Sequence, residues 1–369
     1  MERALARSRD RHKATRSTVR PIRLMIVDDS MVARAVLSRM IESDGGFEIA
    51  AVAGTAEDAI DALHAVNVDI ILLDLEMPGA GGLKSIPRIQ AAAGGARIMI
   101  VSSLAEEGAE ETVAALALGA ADTLPKPGTG RFNGRFSEIL LRKLKALGYA
   151  DEARGTVRRH SSGSLRAPLR AMPSDPIEIL AIGASTGGIH ALGLLFQNLP
   201  ERIGVPILVT QHLPAPFMAV FARQLGAVAR RDAVVAEDGM ELLPDRIFVA
   251  PGDAHLSIDA LGASVVVRLL RNPSASGCLP SVDPMFASAG AVFGRAALGI
   301  VLTGMGRDGV EGAARMVAYG GSVLAQDQAS CAVWGMPRAL VEAGLACAVM
   351  PPDKLARRVV SRTVEGPCK

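Results

Sequence analysis

Three short polar motifs in the C-terminal half of the chain contain side chains that could act together in acyl transfer. Ser185 lies in the stretch AIGASTGGIH, His212 in QHLP and Asp308 in GMGRDG. A serine hydroxyl is too weak an acid to attack a carbonyl at neutral pH, so it needs a neutral imidazole to take its proton. A carboxylate then orients the imidazole and stabilises its protonated form. These three residue types are therefore the set that a serine hydrolase requires.

The glycine-rich stretch around Ser185 is open to other interpretations. A dinucleotide-binding turn requires GxGxxG and an acidic residue at the end of the next strand, but here Ser185 replaces the second glycine and the acid is missing. A helix cap is harder to dismiss, because Thr186 could satisfy the free N–H groups of a following helix. Gly183-x-Ser185-x-Gly187 fits GxSxG literally, yet the order Ser, His, acid disfavours the α/β-hydrolase fold.

Glycines in two of these motifs could expose main-chain N–H groups to a developing oxyanion. Gly187 and Gly188 lie at the start of a predicted helix, where free N–H groups and the helix dipole favour negative charge. Gly304 and Gly306 likewise leave the backbone of Met305 accessible. The alternative is that these glycines serve only the geometry of tight turns.

Other histidines and acidic residues compete for the roles of base and orienting acid. His255, in APGDAHLSI, follows a predicted strand and is the stronger rival base, whereas His190 fits a rim or packing position. Asp253 is the rival of Asp308. The remaining histidines fit a tail, a helix surface and a linker: His12, His64 and His160. The positions of these side chains in the fold must decide between them.

The three motifs follow predicted strands of one α/β pattern. Strands are predicted at residues 178–182, 206–210, 246–250 and 298–303, and helices at 187–198, 217–225, 283–293 and 309–319. Because the carboxyl ends of parallel strands meet at one edge of a sheet, Ser185, His212 and Asp308 are expected to emerge together.

A second set of polar residues follows predicted strands in the N-terminal half. These strands are predicted at residues 22–27, 48–53, 69–73, 97–102 and 121–124. Asp28 and Asp29 follow the first, Asp74 the third, Ser102 the fourth and Lys126 the fifth. Three carboxylates in one crevice repel one another unless a cation joins them, and their hard oxygen atoms suit Mg²⁺. The pattern predicts an acidic, magnesium-binding crevice.

Such a crevice could support phosphoryl transfer. Asp74, the central carboxylate, could act as a nucleophile toward phosphorus. Mg²⁺ and the ammonium of Lys126 would neutralise the phosphoryl charge, and Ser102 would donate a hydrogen bond to it. The alternative is that Asp28 and Asp29 merely cap the helix that follows.

The composition limits which fold classes, binding partners and locations remain possible. The 369 residues suggest two domains, and 40 basic against 38 acidic residues give no global argument for nucleic acid. A hydrophobic content of 49% with 3% aromatics is typical of α/β domains with many buried strands. The longest apolar stretches fall short of the roughly 18 to 20 residues that span a bilayer. The four cysteines form no CxxC pair, so their spacing indicates neither a zinc site nor a disulfide framework, and a cytoplasmic location fits best.

Breaks in the pattern predict the domain organisation. Residues 1–20, with seven Lys/Arg, read as a basic N-terminal tail, and residues 149–175, rich in Arg, Ser, Gly and Pro, as a flexible linker. The two domains are predicted at 21–148 and 176–355, followed by a C-terminal tail at 356–369. The predicted fold class is α/β, with two doubly wound parallel-sheet domains.

With the motifs VDDS, LLDLEMPGAGG, IVSS and LPKP, residues 21–147 resemble a response-regulator receiver domain. The resemblance implies a flavodoxin-like fold with Asp74 as the phospho-acceptor and a histidine kinase as the phosphodonor. The other implied roles are Mg²⁺ ligands for Asp28, Asp29, Asp74 and the Glu76 carbonyl, switch hydroxyl for Ser102, and phosphate partner for Lys126.

With GASTGG, QHLP, APGDAHL and GMGRDG in this order, residues 176–350 resemble the catalytic domain of the chemotaxis protein-glutamate methylesterases. The resemblance implies a Rossmann-like domain with Ser185 as nucleophile, His212 as base and Asp308 as orienting acid. It implies an oxyanion contact from the Met305 N–H and no cofactor in the esterase site.

The two resemblances together imply a phosphorylation-gated enzyme. Its substrates would be glutamate methyl esters on the cytoplasmic helical region of chemoreceptors, with deamidation of receptor glutamines as a further activity, and neither nucleic acid binding nor membrane insertion is expected. The competing interpretation is a non-enzymatic receiver-linked regulator, including one that reads DNA. A helix-turn-helix effector would be shorter and would carry a basic recognition helix, which the second half lacks.

Overall fold

The structure is a computed structural model that describes residues 20–78, 81–102, 106–126, 134–149 and 168–363. Two parallel β-sheets flanked by helices form two successive domains, which confirms the predicted fold class. The predicted basic tail, apart from Arg20, and most of the predicted linker lie outside the described residues. Among the described helices, none combines the length and apolar character that a bilayer crossing requires.

The N-terminal domain contains a five-stranded sheet of order β2-β1-β3-β4-β5, in which every pairing is parallel. Its strands are Ile22–Val27 (β1), Phe47–Ala53 (β2), Ile70–Leu73 (β3), Arg97–Ser102 (β4) and Asp122–Pro125 (β5). Its helices are Met31–Glu42 (α1), Ala56–Leu63 (α2), Gly82–Ala92 (α3), Glu106–Ala117 (α4) and Gly134–Gly148 (α5). Val27 pairs with Leu73, so Asp28 and Asp74 leave the sheet side by side.

The C-terminal domain contains a seven-stranded sheet of order β14-β13-β12-β6-β7-β9-β8 and an antiparallel hairpin, β10–β11. The strands are Ile179–Ala184 (β6), Ile207–Gln211 (β7), Ala233–Val235 (β8), Ile247–Val249 (β9), His255–Leu261 (β10), Ser264–Leu270 (β11), Ala297–Val301 (β12), Ser322–Gln326 (β13) and Ala346–Met350 (β14). The helices are Gly188–Gln197 (α6), Ala215–Ala229 (α7), Val282–Phe293 (α8), Val310–Ala318 (α9), Met336–Glu342 (α10) and Pro352–Val360 (α11). Because β6 lies between β7 and β12, the chain winds away from it in both directions, and a crevice opens at its carboxyl end.

The predicted C-terminal tail, residues 356–369, begins within a helix, and its residues 364–369 lie outside the described part of the structure. Residues 356–360, predicted as part of a tail, lie in α11, which packs against α6. Leu355 and Val359, one helical turn apart, are completely buried. The end of the predicted linker is also held in place, since the Arg170 N–H donates to the Ala346 carbonyl at 2.9 Å.

The two domains contact each other through α4, which packs on α6 and α7. Val113 shares one hydrophobic cluster with Ile189 and Phe221. At the edge of this contact Arg223 lies 2.5 Å from Glu110, but both side chains are more than 60% exposed. Such an exposed ion pair contributes about 0 to 1 kcal/mol, so apolar packing dominates this part of the interface.

Candidate active site

Strand register brings the predicted nucleophile and base together. Ala184 pairs with Gln211 across β6 and β7, so Ser185 and His212 follow at the same level of the sheet. The His212 N–H donates to the Ala184 carbonyl at 3.1 Å, and Gln211 Nε2 donates to the Ser185 carbonyl at 2.9 Å. The side chain of Gln211 thus links the end of β7 to the start of the loop that follows β6.

The third strand end completes the arrangement. Beyond β12, which pairs with β6, the Thr303 carbonyl accepts a hydrogen bond from the Ser185 N–H at 3.0 Å. Gly304 lies so close to the nucleophile that a Cβ there would stand 2.7 Å from Ser185 Cβ. The turn after β12 therefore requires glycine beside Ser185, and it leads directly to Asp308.

His212 and Asp308 form the central pair of the site. His212 Nε2 lies 2.7 Å from Asp308 Oδ2, with the two side chains 16% and 1% exposed. Asp308 also accepts hydrogen bonds from Ser281 Oγ at 2.6 Å and from the Val282 N–H at 2.7 Å. Although burial opposes its ionisation, these contacts hold the pKa of Asp308 well below its usual range. Asp308 is therefore a carboxylate that can orient the imidazole of His212.

The alternative candidates for the base and the orienting acid make contacts outside the His212–Asp308 pair. His255 is buried, its Nδ1 accepts from the Ser281 N–H at 2.9 Å, and its Nε2 lies 2.8 Å from the Asn272 carbonyl. Since an N–H can only donate, Nε2 carries the proton and both ring nitrogens are occupied. His255 thus holds in place the loop that supports Asp308. The His190 side chain is exposed, with Nδ1 3.2 Å from the Ala117 carbonyl oxygen. Asp253 is also exposed, with Oδ2 3.9 Å from Arg271 Nη2.

Ser281 and Val282, which both donate to Asp308, belong to a motif, PSVD, that the sequence analysis does not select. Ser281 is the N-cap of α8 and also donates to Asp308, and both roles fit a serine before a helix. Asp283 accepts a hydrogen bond from the Gly312 N–H at 2.7 Å. Burial raises the pKa of Asp283 to about 6, and the charge of Asp308 adds to the rise.

The predicted acidic crevice has a matching geometry in the N-terminal domain. Asp28 and Asp74 are 2% and 3% exposed, and oxygen atoms of Asp28, Asp29 and Asp74 lie within 4.8 Å of one another. Lys126 Nζ lies 2.7 Å from Asp74 Oδ2 and 2.9 Å from Asp28 Oδ2. Burial raises the pKa of Asp74, although the ammonium of Lys126 opposes that rise.

The remaining predicted residues of this crevice are less fully described. The Glu76 N–H donates to Asp74 Oδ1 at 3.2 Å, which puts Glu76 at the rim. Ser102 is the last residue of β4, but its side chain falls outside the described part of the structure. The cap of α1 is Ser30, whose Oγ accepts from the Ala33 N–H, so Asp28 and Asp29 are not needed for capping.

Comparison with known proteins assigns both halves. Residues 24–131 match the response regulator receiver domain, and residues 180–359 match the CheB methylesterase domain. A Caulobacter vibrioides protein-glutamate methylesterase/protein-glutamine glutaminase is 40% identical over 344 residues, covering 92% of this chain and 99% of that protein. The chain belongs to the protein-glutamate methylesterase family. Its order of domains, a receiver followed by a methylesterase domain, agrees with the two matches.

Two further relatives extend the comparison. An Azospirillum brasilense protein-glutamate methylesterase/protein-glutamine glutaminase is 38% identical and covers 90% of each chain. The crystal structure of the Thermotoga maritima CheB methylesterase catalytic domain is 35% identical, with a TM-score of 0.49, and covers 50% of this chain and 97% of that one. The relatives from Caulobacter vibrioides and Azospirillum brasilense thus each match at least 90% of this chain.

The receiver domain of this methylesterase contacts residues 185–187, the nucleophile loop, which follows β6 and is named for the predicted role of Ser185. Thr186 Oγ1 donates to Asp122 Oδ2 at 2.5 Å, and the Gly187 N–H donates to the Ala121 carbonyl at 2.6 Å. The expectation that Thr186 caps the following helix is therefore wrong. Gly187, with a φ of 76°, is the N-cap of α6 and has no side-chain oxygen to offer, while the Thr186 hydroxyl is engaged by a buried carboxylate.

The turn that carries the predicted oxyanion contact joins a hydrophobic cluster that extends into the receiver domain. Met305 and Ala332 pack against the cluster that contains Phe136 and Leu140 of α5. Within the described residues, the Met305 N–H has no main-chain acceptor, which leaves it available to a substrate oxygen. An oxyanion role for Met305 stays a prediction, and its side chain marks where the receiver meets the esterase site.

Cys278 is a neighbour of the catalytic pair that its sequence position does not reveal. Its Sγ and the side-chain ligand atoms of His212 and Asp308 lie within 4.8 Å of one another. Burial raises the pKa of the Cys278 thiol, and the charge of Asp308 raises it further. The imidazole of His255 joins the two ends of the loop between β11 and α8, since it contacts the Asn272 carbonyl at one end and accepts from the Ser281 N–H at the other.

Proposed function

We propose that this protein is a phosphorylation-activated esterase that hydrolyses glutamate methyl esters on chemoreceptors by a Ser-His-Asp mechanism. The observation that carries the proposal is the 2.7 Å contact between His212 Nε2 and Asp308, formed at the strand end next to Ser185. The names of the relatives support the substrate class, since they join methylesterase and glutaminase activities. The cytoplasm is the location that suits this substrate.

The chemistry follows from the orientation of His212. With Nε2 bound to Asp308, Nδ1 is the nitrogen that takes the proton from Ser185 Oγ as it attacks the ester carbonyl. The tetrahedral intermediate places its negative oxygen against the Met305 N–H. His212 then returns the proton to the departing methoxide, methanol leaves, and water resolves the acyl-enzyme by the same steps. With a glutamine side chain the leaving group is ammonia, so one site serves both reactions.

The receiver crevice supports phosphorylation at Asp74. Buried oxygen atoms of Asp28 and Asp74 with the nearby Asp29 form a donor set that fits Mg²⁺, and the Glu76 carbonyl would be a further ligand, as the resemblance implies. When bound, the ion would offset the negative charge of an incoming phosphoryl group. Lys126 holds its ammonium against Asp74 and so stabilises the aspartyl-phosphate, while a histidine kinase supplies the phosphoryl group.

The contacts of Asp122 and Ala121 with the nucleophile loop support gating by the receiver. In the unphosphorylated chain they fix Thr186 and Gly187 beside Ser185, and Met305 packs against a hydrophobic cluster that includes residues of α5. Phosphorylation of Asp74 would shift the receiver surface and release these contacts. The methylesterase site would then become accessible to a receptor helix.

Methanol release from methylated receptor, measured with and without a small-molecule phosphodonor, tests chemistry and gating together. We expect slow release from the unphosphorylated chain and faster release after phosphodonor is added with Mg²⁺. An Asp74→Asn variant is the matched control, since it should retain the slow rate and lose the acceleration. Absence of methanol under all conditions, together with salt-dependent DNA binding, would favour the regulator alternative.

A further inference from the structure

We propose that His212, Cys278 and Asp308 form a Zn²⁺ site and that zinc bound there switches the esterase off. The three side chains come from separate segments of the chain, and their ligand atoms lie within 4.8 Å of one another. Sequence spacing alone does not indicate this cluster, because Cys278 and Asp308 are 30 positions apart and neither belongs to a metal-binding motif.

The donor set selects the metal. Thiolate and imidazole together suit Zn²⁺ rather than Mg²⁺ or Ca²⁺, and a carboxylate is a common third zinc ligand. Zinc binds sulfur at about 2.3 Å and nitrogen or oxygen at about 2.0 to 2.2 Å, so side-chain movements of under about 1 Å would bring all three onto one ion. A water molecule would fill the fourth, tetrahedral position.

The geometry around the cluster favours binding without refolding. Asp308 Oδ1 accepts a hydrogen bond from Ser281, and Oδ2 accepts one from the Val282 N–H. Oδ2 can therefore bind a metal while the hydrogen bond from Ser281 to Oδ1 persists. Cys278 and His212 are both partly exposed, which gives an ion a path of entry. The Cys278 loop has its own support, since Ser274 Oγ donates to the Cys278 carbonyl at 2.9 Å.

Zinc binding at this place is incompatible with catalysis by His212. A neutral imidazole has one lone pair, so a metal on either ring nitrogen leaves the other nitrogen protonated. Such a histidine cannot accept the proton of Ser185. Binding also converts the Cys278 thiol to a thiolate and releases its proton to solvent, and it replaces the 2.7 Å contact between His212 and Asp308 with metal–ligand bonds. Inhibition is therefore the expected consequence.

The first test is inhibition of methanol release by Zn²⁺ in the full chain, with excess Mg²⁺ present to fill the receiver crevice. Each variant is compared with its own chelator-treated rate. We expect zinc to inhibit the natural chain reversibly, and Cys278→Ala to require at least about tenfold more zinc. Cys347→Ala is the matched control, because Cys347 is another partly exposed thiol and contacts Ala171. It should respond like the natural chain.

The second test does not depend on turnover, so it separates this inference from the proposed esterase function on which it rests. Co²⁺ replaces Zn²⁺ in such sites, and a cobalt–thiolate bond gives a charge-transfer absorption band. The band should be present in the natural chain and in Ser185→Ala, and absent in Cys278→Ala. If zinc inhibits Cys278→Ala and the natural chain equally, or if the cobalt–thiolate band survives removal of Cys278, the proposed site is wrong.

Discussion

Thr186 Oγ1 and Asp122 Oδ2 are joined by a buried hydrogen bond of 2.5 Å that crosses from the methylesterase domain to the receiver. Thr186 directly follows the nucleophile, and Asp122 is the first residue of β5. Asp122 also accepts from Lys143 Nζ at 2.6 Å, so its carboxylate has one partner in the receiver and one in the methylesterase domain. The receiver therefore holds the residue adjacent to Ser185, the predicted nucleophile.

The first prediction concerns this contact. Asp122→Ala should raise methanol release by the unphosphorylated chain roughly 10- to 150-fold, limited by the phosphorylated rate, because a buried hydrogen bond to a charged group contributes about 1.5 to 3 kcal/mol. Glu110→Ala is the control, since its exposed pair with Arg223 contributes little. Equal basal rates in the two variants would contradict a closing role for Asp122.

A second prediction separates the two chemistries. Ser185→Ala should lower kcat for ester hydrolysis by at least about 10⁴-fold, because the nucleophile and its base act as a unit. Phosphorylation of Asp74, followed by transfer of labelled phosphate to the intact protein, should be unchanged. Residual turnover close to that of the natural chain would mean that another residue is the nucleophile.

The support of Asp308 leads to a third prediction. Ser281→Ala removes the 2.6 Å hydrogen bond to Asp308 and should lower kcat about tenfold with little change in KM, since it weakens the orientation of His212 rather than substrate binding. Ser281→Thr keeps the hydroxyl and should restore most of the rate. Ser288→Ala, in the same helix, serves as the control, and a similar loss there would indicate a general effect on α8.

A fourth prediction concerns stability and pH. The pKa of Asp283 is raised from 3.8 to about 6 in the folded chain, so between these values the folded state holds a proton that the unfolded state has lost. This contribution therefore favours folding at low pH and is lost as pH rises toward and beyond 6. Asp283→Asn should have a similar unfolding midpoint to the natural chain at pH 4 and a higher one at pH 7.

Urea unfolding at several pH values, followed by the fluorescence of Trp334, would measure this difference. Trp334 is the one tryptophan of the sequence and lies in the methylesterase domain, so it reports on the domain that contains Asp283. Asp259→Asn, at an exposed position, is the control. A midpoint difference that stays constant from pH 4 to pH 7 would show that Asp283 titrates as an ordinary carboxyl.

The sequence predicts the parts of this protein that depend on local pattern. Buried parallel strands produce apolar runs, and the polar residues that follow them, such as Ser185, His212 and Asp74, reach the carboxyl edge of a sheet by register alone. The five strands of the receiver and β6, β7, β9 and β12 of the methylesterase domain are predicted in this way, whereas β8, β10, β11, β13 and β14 are not.

Residues that reach the site through tertiary packing could not be predicted from local pattern. Ser281 contacts Asp308 from 27 positions away, and Asp122 contacts Thr186 across 64 positions and a domain boundary. Thr186 is an example of a local rule that fails. Its residue type and its place before a helix suit an N-cap, but its hydroxyl donates to the Asp122 carboxylate of the other domain instead. Cys278 is similar, since only the folded loop brings it to His212.

Strand β5 has a consequence for how the two domains communicate. It spans only Asp122–Pro125, with Asp122 facing the nucleophile loop at one end and Lys126 following at the other, beside Asp74. At about 3.3 Å per residue these ends are separated by roughly 13 Å. Because an extended, hydrogen-bonded strand is stiff along its axis, a shift of Lys126 along that axis is expected to move Asp122 as well. Strand β5 is therefore a short main-chain connection between the predicted phosphorylation crevice and the contact with Thr186.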